Sequence, residues 1–407
     1  MPLRRLAPLL ALALLLPLAP AAAAPPAAAG EPALVLGTKG SLDSALLHET
    51  RPYLLSLPPG YEKSTARYPV LYLLDGDTNF HHATAVVNFL ARAEFIPPMI
   101  VVAVPNTDRP RDLTPGFKEG YRFPASPDRL ARSFVPTAGG ADTFLRFLEE
   151  ELAPHIEARY RTQPYRILVG HSYGGLFAVH ALFTRPRVFQ AYIAISPSLW
   201  WNDSHLVTGA VKSLERLPPQ ERFLYLSMGS EGGDMVEPIQ KLAATLEKAR
   251  PARLRWHYAF LEKDHHMSTP LRTLYDGLSL LYEGWIIPEY PPTPGTQAKL
   301  EANYARLTQR LGYEVRPAES LLNDVGYQML GKGEREAALS ALRRNTEWYP
   351  GSANTHDSLG EALEATGQLE AARASYARAV ALDGTHAAYA KHLEAVTRQL
   401  APAPKGP

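Results

Sequence analysis

Short apolar runs alternate with amphipathic stretches along the chain from about residue 34 to residue 288. The runs are rich in Val, Ile, Leu and Tyr, which is typical of buried strands. The predicted strands are RPYLLSLP (51–58), YPVLYLLDG (68–76), MIVVAVPN (99–106), YRILVGHS (165–172), AYIAISP (191–197), RFLYLSMG (222–229) and LRWHYAFLE (254–262).

Helical periodicity occurs between these strands, among other places at 84–95, 139–160 and 174–186. Apolar residues in such segments recur three and four apart, which places them on one face of a helix. Near-continuous apolar strands separated by helices favour a mostly parallel sheet with helices on both faces. We therefore predict an α/β domain over residues 34–288.

The character of the chain changes after a proline-rich linker at 289–298. Residues 299–400 are rich in Ala, Leu, Glu and Arg and repeat with a period of 34 residues, the length of the tetratricopeptide helix pair. Equivalent positions are Gly326 and Gly360, Gly333 and Gly367, Ala338 and Ala372, and Leu342 and Tyr376. We predict two such repeats, at 319–352 and 353–386, then a capping helix, with 401–407 as a disordered tail.

Two helical repeats bury too little surface to be stable alone. We therefore expect them to pack on a helix near residues 297–311 or on the α/β domain. Self-association or a protein partner bound through the repeats is a further expectation. A generic helical hairpin is the alternative, and the aligned glycines disfavour it.

The N-terminal segment has the three zones of a secretory signal peptide in residues 1–24: two arginines, an apolar run and small residues. Prolines interrupt the apolar run, which disfavours a membrane anchor of ~20 residues. Residues 25–33 form an Ala/Pro-rich tether. We expect an exported protein, periplasmic or secreted, with no membrane segment in its mature form.

Composition narrows the chemistry. The 407-residue chain contains no cysteine, which excludes disulfides, cysteine nucleophiles and thiolate metal sites. Its formal net charge is +1, and loss of the two signal-peptide arginines would leave about −1. Neither value indicates a nucleic-acid or anionic-membrane partner.

The segment YRILVGHSYGGLFAV (165–179) carries the strongest functional signal. Ser172 lies in a G-x-S-x-G sequence between a predicted strand and a predicted helix, the context in which this motif holds a nucleophile. The following helix directs N–H groups toward the serine, which favours an anion there. A chance Gly/Ser turn is the alternative, and both flanking elements argue against it.

A nucleophilic serine needs a base, which here should follow the acid in the chain and lie after the last strand. That loop contains His265 and His266, and spacing alone does not separate them. The acid is expected after the preceding strand, where Glu231 lies closest to the strand end and Asp234 is the alternative.

An oxyanion intermediate needs two N–H donors. We assign one to the amide of Tyr173, directly after the serine, and expect the other from the loop of Asp75, Gly76 and Asp77. Glycine in that loop allows the backbone to approach the substrate. No metal or organic cofactor is expected, since neither adjacent histidine pair has a convergent carboxylate pattern.

Several segments together resemble the putative-esterase family of α/β-hydrolases, which includes siderophore trilactone esterases, feruloyl esterases, S-formylglutathione hydrolases and mycolyltransferases. The resemblance covers about residues 34–288. The segments that carry it are TRPYLLSLPPGY, YPVLYLLDGD, PNTDRPRDLTP, GGADTFLRFLEEELAPHIEARYRT, GHSYGGLFAVHALFTRPRVFQAYIAISPSLWW and DHHMSTP.

The resemblance implies Ser172 as nucleophile. It favours His266 over His265, because family members carry histidine two residues before a serine, here Ser268. It also implies the amide of Asp77 as the second oxyanion donor. The position of the acid varies in the family, and we retain Glu231. Family members usually lack a tetratricopeptide region, so the resemblance assigns that region no role.

Three residues are candidates for the substrate pocket. Trp200 and Trp201 are expected to line its acyl or alcohol side, with core packing under a loop as the alternative. Arg109 is a candidate ligand for an anionic substrate. For Arg111 we favour an ion pair with a neighbouring aspartate that holds the loop.

These observations predict an exported serine hydrolase that acts on a small-molecule carboxylic ester, with siderophore and aryl esters among the candidates. One alternative is an acyltransferase with the same catalytic residues. Another is a non-catalytic binding protein that acts through its helical repeats.

Overall fold

The computed structural model describes residues 35–124, 126–286 and 291–401. The predicted signal peptide and tether lie outside the described residues, as do residues 402–407 of the C-terminal tail and residues 287–290 at the start of the linker region. None of the helices in these ranges combines the length and apolarity that a bilayer span requires.

Strands occupy the first two thirds of the described chain. They are β1 (Thr38–Ser44), β2 (Glu49–Ser56), β3 (Tyr68–Leu74), β4 (Ile100–Val104), β5 (Arg122–Phe123), β6 (Ser126–Leu130), β7 (Thr162–His171), β8 (Ala191–Ile195), β9 (Arg222–Gly229) and β10 (Leu254–Leu261). Every predicted strand is present. The polar strand β1 and the short β5–β6 hairpin were not predicted.

Helices fill the connections and the C-terminal region. They are α1 (Gly76–Arg92), α2 (Arg109–Leu113), α3 (Ala131–Phe134), α4 (Ala141–Arg146), α5 (Ala153–Glu157), α6 (Tyr173–Thr184), α7 (Trp201–Thr208), α8 (Ala210–Leu214), α9 (Gly233–Ala249), α10 (Thr269–Leu281), α11 (Thr296–Leu311), α12 (Glu319–Gly331), α13 (Arg335–Trp348), α14 (Ala353–Ala365), α15 (Leu369–Leu382) and α16 (Ala387–Leu400). A π-helical segment, Phe147–Leu152, joins α4 to α5.

Eight strands form one sheet in the order β1-β2-β4-β3-β7-β8-β9-β10. The β1–β2 and β2–β4 pairs are antiparallel. The other six strands of this sheet run parallel, and they are β4, β3, β7, β8, β9 and β10. Strands β3, β4 and β8 are buried at every position, because both faces of the sheet are covered. The predicted α/β class, with its mostly parallel sheet, is confirmed.

The C-terminal helices recur as two pairs, α12–α13 and α14–α15, followed by α16. Gly326 and Gly360 occupy equivalent places in the pairs. A Cβ atom at Gly326 would lie 2.5 Å from Leu342, and one at Gly360 would lie 2.5 Å from Tyr376. Glycine therefore permits the close helix contact in both pairs. Assignment of these pairs to the tetratricopeptide class stays a prediction.

The helical region shares its core with one face of the sheet. Leu300, Tyr304 and Leu307 of α11 belong to the same buried cluster as Leu71 and Val101 of the sheet. Side chains of α12 and α13 extend that cluster further along the chain. The expected packing of the helices on α11 and on the α/β domain is therefore present in the fold.

A shared core predicts that the two regions unfold together. Leu307→Ala should lower the free energy of unfolding by about 2–5 kcal/mol, because Leu307 is 2% exposed and its removal leaves a cavity. Urea unfolding followed by circular dichroism and by the predicted ester hydrolysis should give one coincident transition. The exposed Val211→Ala is the control, with a change within about 0.5 kcal/mol. Two separate transitions would contradict the shared core.

Candidate active site

The predicted catalytic residues lie at one edge of the sheet, beyond the carboxyl ends of its parallel strands. Ser172 follows β7, Glu231 follows β9 and His266 follows β10. This edge is where open α/β sheets hold their ligands. Ser172 and His266 line the same cleft of about 670 Å³, together with Asp77 and Arg109.

Ser172 has a backbone conformation that side chains rarely adopt, with φ 60° and ψ −114°. The turn is possible because its neighbours lack side chains: a Cβ at Gly170 would lie 2.2 Å from the carbonyl oxygen of Gly174. A Cβ at Gly175, outside the motif, would also be too close to the backbone, at 2.9 Å from the carbonyl oxygen of Ile195. Such strain is typical of functional sites.

His266 is held by a buried carboxylate. Its Nδ1 lies 2.6 Å from Oε2 of Glu231, whose side chain is 7% exposed. The other carboxylate oxygen accepts a hydrogen bond from the Ser196 hydroxyl at 2.7 Å. The Glu231 carboxylate therefore orients the imidazole with Nδ1–H toward Glu231 and Nε2 available for the substrate side.

The alternative base, His265, and the alternative acid, Asp234, make other contacts. His265 is exposed, and its Nδ1 accepts a hydrogen bond from the amide of Met267. Asp234 is exposed and lines a different cavity. Ser268 is the serine that the family pattern places two residues after the histidine. Its hydroxyl accepts a hydrogen bond from the His265 amide and donates one to the Asp264 carboxylate, which fixes the shape of this loop.

The proposed oxyanion donors both lie at helix N-termini. Tyr173 is the first residue of α6 and Asp77 the second residue of α1, where backbone N–H groups have no intrahelical acceptor. The Ser172 hydroxyl lies 3.4 Å from the Ser198 hydroxyl. In unliganded enzymes, catalytic hydrogen bonds are often long and shorten when substrate binds.

An ion pair between the half-buried Arg109 and the buried Asp75 joins two loops next to the turn of Ser172. Arg109 donates to both oxygens of Asp75, at 2.6 and 3.0 Å, and to the carbonyl oxygen of His171 at 3.2 Å. Asn106 donates to the same carboxylate at 2.7 Å. Asp75 thus ties the oxyanion loop to the serine turn. The sequence reasoning named Asp75 in this loop and missed its pairing.

His171 has a role that the sequence analysis did not foresee. Its ring lies 4.4 Å from the ring of His266, centroid to centroid. Burial, reinforced by the nearby charge of His266, lowers the pKa of His171 to about 4. His171 is therefore neutral at pH 7 and adds no positive charge beside His266.

The two tryptophans occupy different environments. Trp200 lines an aromatic hollow of about 260 Å³ beside the cleft, with Phe123, Phe134 and Tyr173 among the other wall residues. Trp201 is 0% exposed and donates to a backbone carbonyl, so its predicted place in the pocket wall is wrong. Trp201 instead packs in the core, as the alternative interpretation expected, where aromatic rings surround it.

The two arginines also differ in their ion-pair partners. Arg111 forms ion pairs with Glu49 and Asp112, as the loop-holding interpretation expects. Arg109 lines the cleft, and its partner is Asp75 rather than a neighbouring aspartate. Within the described residues, no group of three metal-ligand side chains converges at this cleft.

The sheet order, the strained serine at the strand-to-helix turn and the histidine–carboxylate pair define an α/β-hydrolase. A family model described as "Putative esterase" matches residues 44–269, more than half of the chain. The chain belongs to this esterase family, and it is a carboxylic ester hydrolase.

Curated relatives share this region. The siderophore triacetylfusarinine C esterase of Aspergillus fumigatus is 33% identical over 277 residues, which cover 58% of this chain and 90% of that protein. The ferri-bacillibactin esterase BesA of Bacillus subtilis is 33% identical over 257 residues, covering 60% of this chain and 78% of that protein.

A solved structure extends the similarity. The IroE-like serine hydrolase from Shewanella oneidensis superposes with a TM-score of 0.68 and 30% sequence identity, covering 77% of this chain and 99% of that one. Residues 34–288 alone do not reach that share. The match therefore includes part of the C-terminal helical region.

The buried His171 predicts that the free energy of unfolding decreases in acid. In the unfolded chain, His171 binds a proton near pH 6.5. In the folded protein, its pKa is lowered to about 4, so it binds the proton only near that pH. Stability from this group is therefore complete above pH 6.5 and is lost as pH falls toward 4, by about 1.4 kcal/mol per pH unit.

Urea unfolding between pH 7 and pH 4.5 measures this loss. His171→Gln, which cannot titrate, should have a shallower dependence of unfolding free energy on pH than the wild type. Equal slopes in the two proteins would show that His171 is not the source of the sensitivity.

Proposed function

We propose that the chain is an exported serine esterase that cleaves siderophore-type esters through Ser172, His266 and Glu231. One observation carries the catalytic assignment: the 2.6 Å contact between Glu231 and His266, in the loop that shares a cleft with Ser172. The signal-peptide pattern of residues 1–24 supports export.

In the first half of the reaction, His266 Nε2 removes the proton from Ser172 as Oγ attacks the ester carbonyl carbon. Glu231 accepts a hydrogen bond from Nδ1–H and stabilises the imidazolium. The amides of Tyr173 and Asp77 donate to the oxyanion. When the intermediate collapses, His266 gives the proton to the leaving alcohol oxygen.

The second half repeats these roles with water. His266 removes a proton from a water molecule, and the hydroxide attacks the acyl-Ser172 carbonyl. The second oxyanion forms at the same amides. Its collapse releases the carboxylic acid and returns the proton to Ser172. Every step uses side chains and amides of this chain.

The cleft suits a large, multifunctional ester. Met267 and Leu271 form an exposed apolar rim, 73% and 56% exposed, beside the reacting groups. The guanidinium of Arg109 lies in the same cleft and favours electron-rich oxygens on the substrate. The siderophore esterases among the relatives support this substrate class.

The aromatic hollow offers a second contact for such a substrate. The Tyr173 ring lies 5.3 Å from the guanidinium of Arg109, which lines the cleft, and 6.2 Å from the ring of Trp200, which lines the hollow. It therefore forms a wall between cleft and hollow. An aryl group of the ester would pack against Phe134 and Trp200 while the carbonyl lies at Ser172.

Substitution of the nucleophile tests the hydrolase. Ser172→Ala should reduce kcat on short p-nitrophenyl esters by at least ~10³-fold, because the acyl-enzyme cannot form. A fluorophosphonate probe should label the wild type and leave the variant unlabelled, as read by intact mass. Ser320→Ala, on the exposed face of α12, is the matched control with unchanged turnover.

Turnover or labelling that persists in Ser172→Ala would exclude this serine as the nucleophile. Added glycerol tests the acyltransferase alternative: glyceryl ester in place of free acid would move the assignment from hydrolysis to transfer.

The hollow predicts a preference for aryl esters. Phe134→Ala should lower kcat/KM for p-nitrophenyl 3-phenylpropanoate roughly two- to tenfold, because one aromatic contact is lost. The effect on the hexanoate ester should be smaller. Phe134 is 58% exposed, so the fold should tolerate the change. Phe260→Ala, at an exposed position on β10, is the control, and equal losses on both esters would contradict the assignment.

A further inference from the structure

The C-terminal helices contain a group of three metal-ligand side chains that the esterase reaction does not use. Asp357 and Glu361 are four residues apart on α14 and so lie on one face of that helix. His392 comes from α16. The residues that line the Ser172 cleft belong to other elements, so this group is a separate feature.

The spacing of the ligand atoms matches a coordination shell. His392 Nδ1 lies 3.0 and 3.2 Å from the two oxygens of Asp357 and 3.8 Å from Oε1 of Glu361. Ligand atoms bound tetrahedrally to zinc at about 2.1 Å lie about 3.4 Å from one another. A cation fits between these atoms with small side-chain adjustments.

The charge in this group is unbalanced. The Asp357 side chain is 10% exposed. Among the ion pairs of the described residues, Asp357 and Glu361 pair with His392 and with no lysine or arginine. Two carboxylates beside one imidazole leave excess negative charge in a partly desolvated place, which a divalent cation would neutralise.

A neighbouring helix orients one of the ligands. The Tyr327 hydroxyl of α12 donates to Oε2 of Glu361 at 2.6 Å, and lies 3.1 Å from the Ser358 hydroxyl. This bond leaves Oε1 as the Glu361 oxygen that faces His392. Outer hydrogen bonds of this kind fix the ligands of metal sites.

We propose that Asp357, Glu361 and His392 bind one divalent first-row transition-metal cation, for which Zn²⁺ is the probe. Mixed carboxylate and imidazole ligands favour this class over Ca²⁺ and Mg²⁺, which prefer oxygen alone. Because the ligands come from two helices, the cation ties α16 to α14. It acts on the stability of the helical region, apart from ester hydrolysis.

Zinc titration of the full mature chain tests the site. The tag-free protein is stripped with EDTA, and Zn²⁺ is titrated in competition with a chromophoric chelator. We expect one zinc per chain at this site and a raised thermal midpoint. His392→Gln should weaken that binding at least roughly tenfold and abolish the thermal shift.

Controls separate this site from other histidines. His356→Gln, at a partly exposed position next to Asp357 on α14, should keep wild-type affinity. Zinc held at the histidine pairs near the cleft would survive the His392 substitution. Glu361→Gln is the second variant should His392→Gln fail to fold, as judged by circular dichroism.

Three results would overturn the proposal. Absence of zinc binding by the wild type would leave the group as an ion pair. Equal zinc affinity and thermal shift in wild type, His392→Gln and Glu361→Gln would place the metal elsewhere. A larger response to Ca²⁺ than to Zn²⁺ would exclude the cation class.

Discussion

The strained backbone of Ser172 is the constraint on which the rest of the site depends. A φ of 60° at a non-glycine residue persists only where the surroundings hold it. Here the turn is clamped between β7 and α6, with Gly170 and Gly175 against neighbouring backbone. The hydroxyl is thereby held at the sheet edge, and the first amide of α6 lies beside it.

The ion pair of the buried Asp75 with the half-buried Arg109 connects this turn to the predicted oxyanion loop. The carboxylate accepts bonds from Arg109 and Asn106, and the same guanidinium reaches the carbonyl of His171. Glu231 acts similarly on His266 from the other side. A carboxylate therefore holds a side chain on each side of the serine turn, and the neutral His171 lies beside His266 without adding charge.

The helical region is part of the same structural unit. Its first helix contributes Leu300, Tyr304 and Leu307 to a core that includes the sheet. The far helices, α14 to α16, pack with Leu339 and Leu342 of α13 in a smaller separate core. Their stability therefore depends on local contacts more than that of α11 does, and it is in this part that Asp357, Glu361 and His392 lie together.

The main strands and helices, the turn at Ser172 and the 34-residue repeat can be predicted from the sequence, because each is a local periodicity or a short motif. The sequence analysis missed β1, whose residues are mostly polar and exposed. Tertiary structure decided which loop side chains meet: Glu231 rather than Asp234 beside His266, Asp75 as the partner of Arg109, and Trp201 in the core beside a partly exposed Trp200. Those choices depend on side-chain direction across loops far apart in the chain, which spacing alone does not encode.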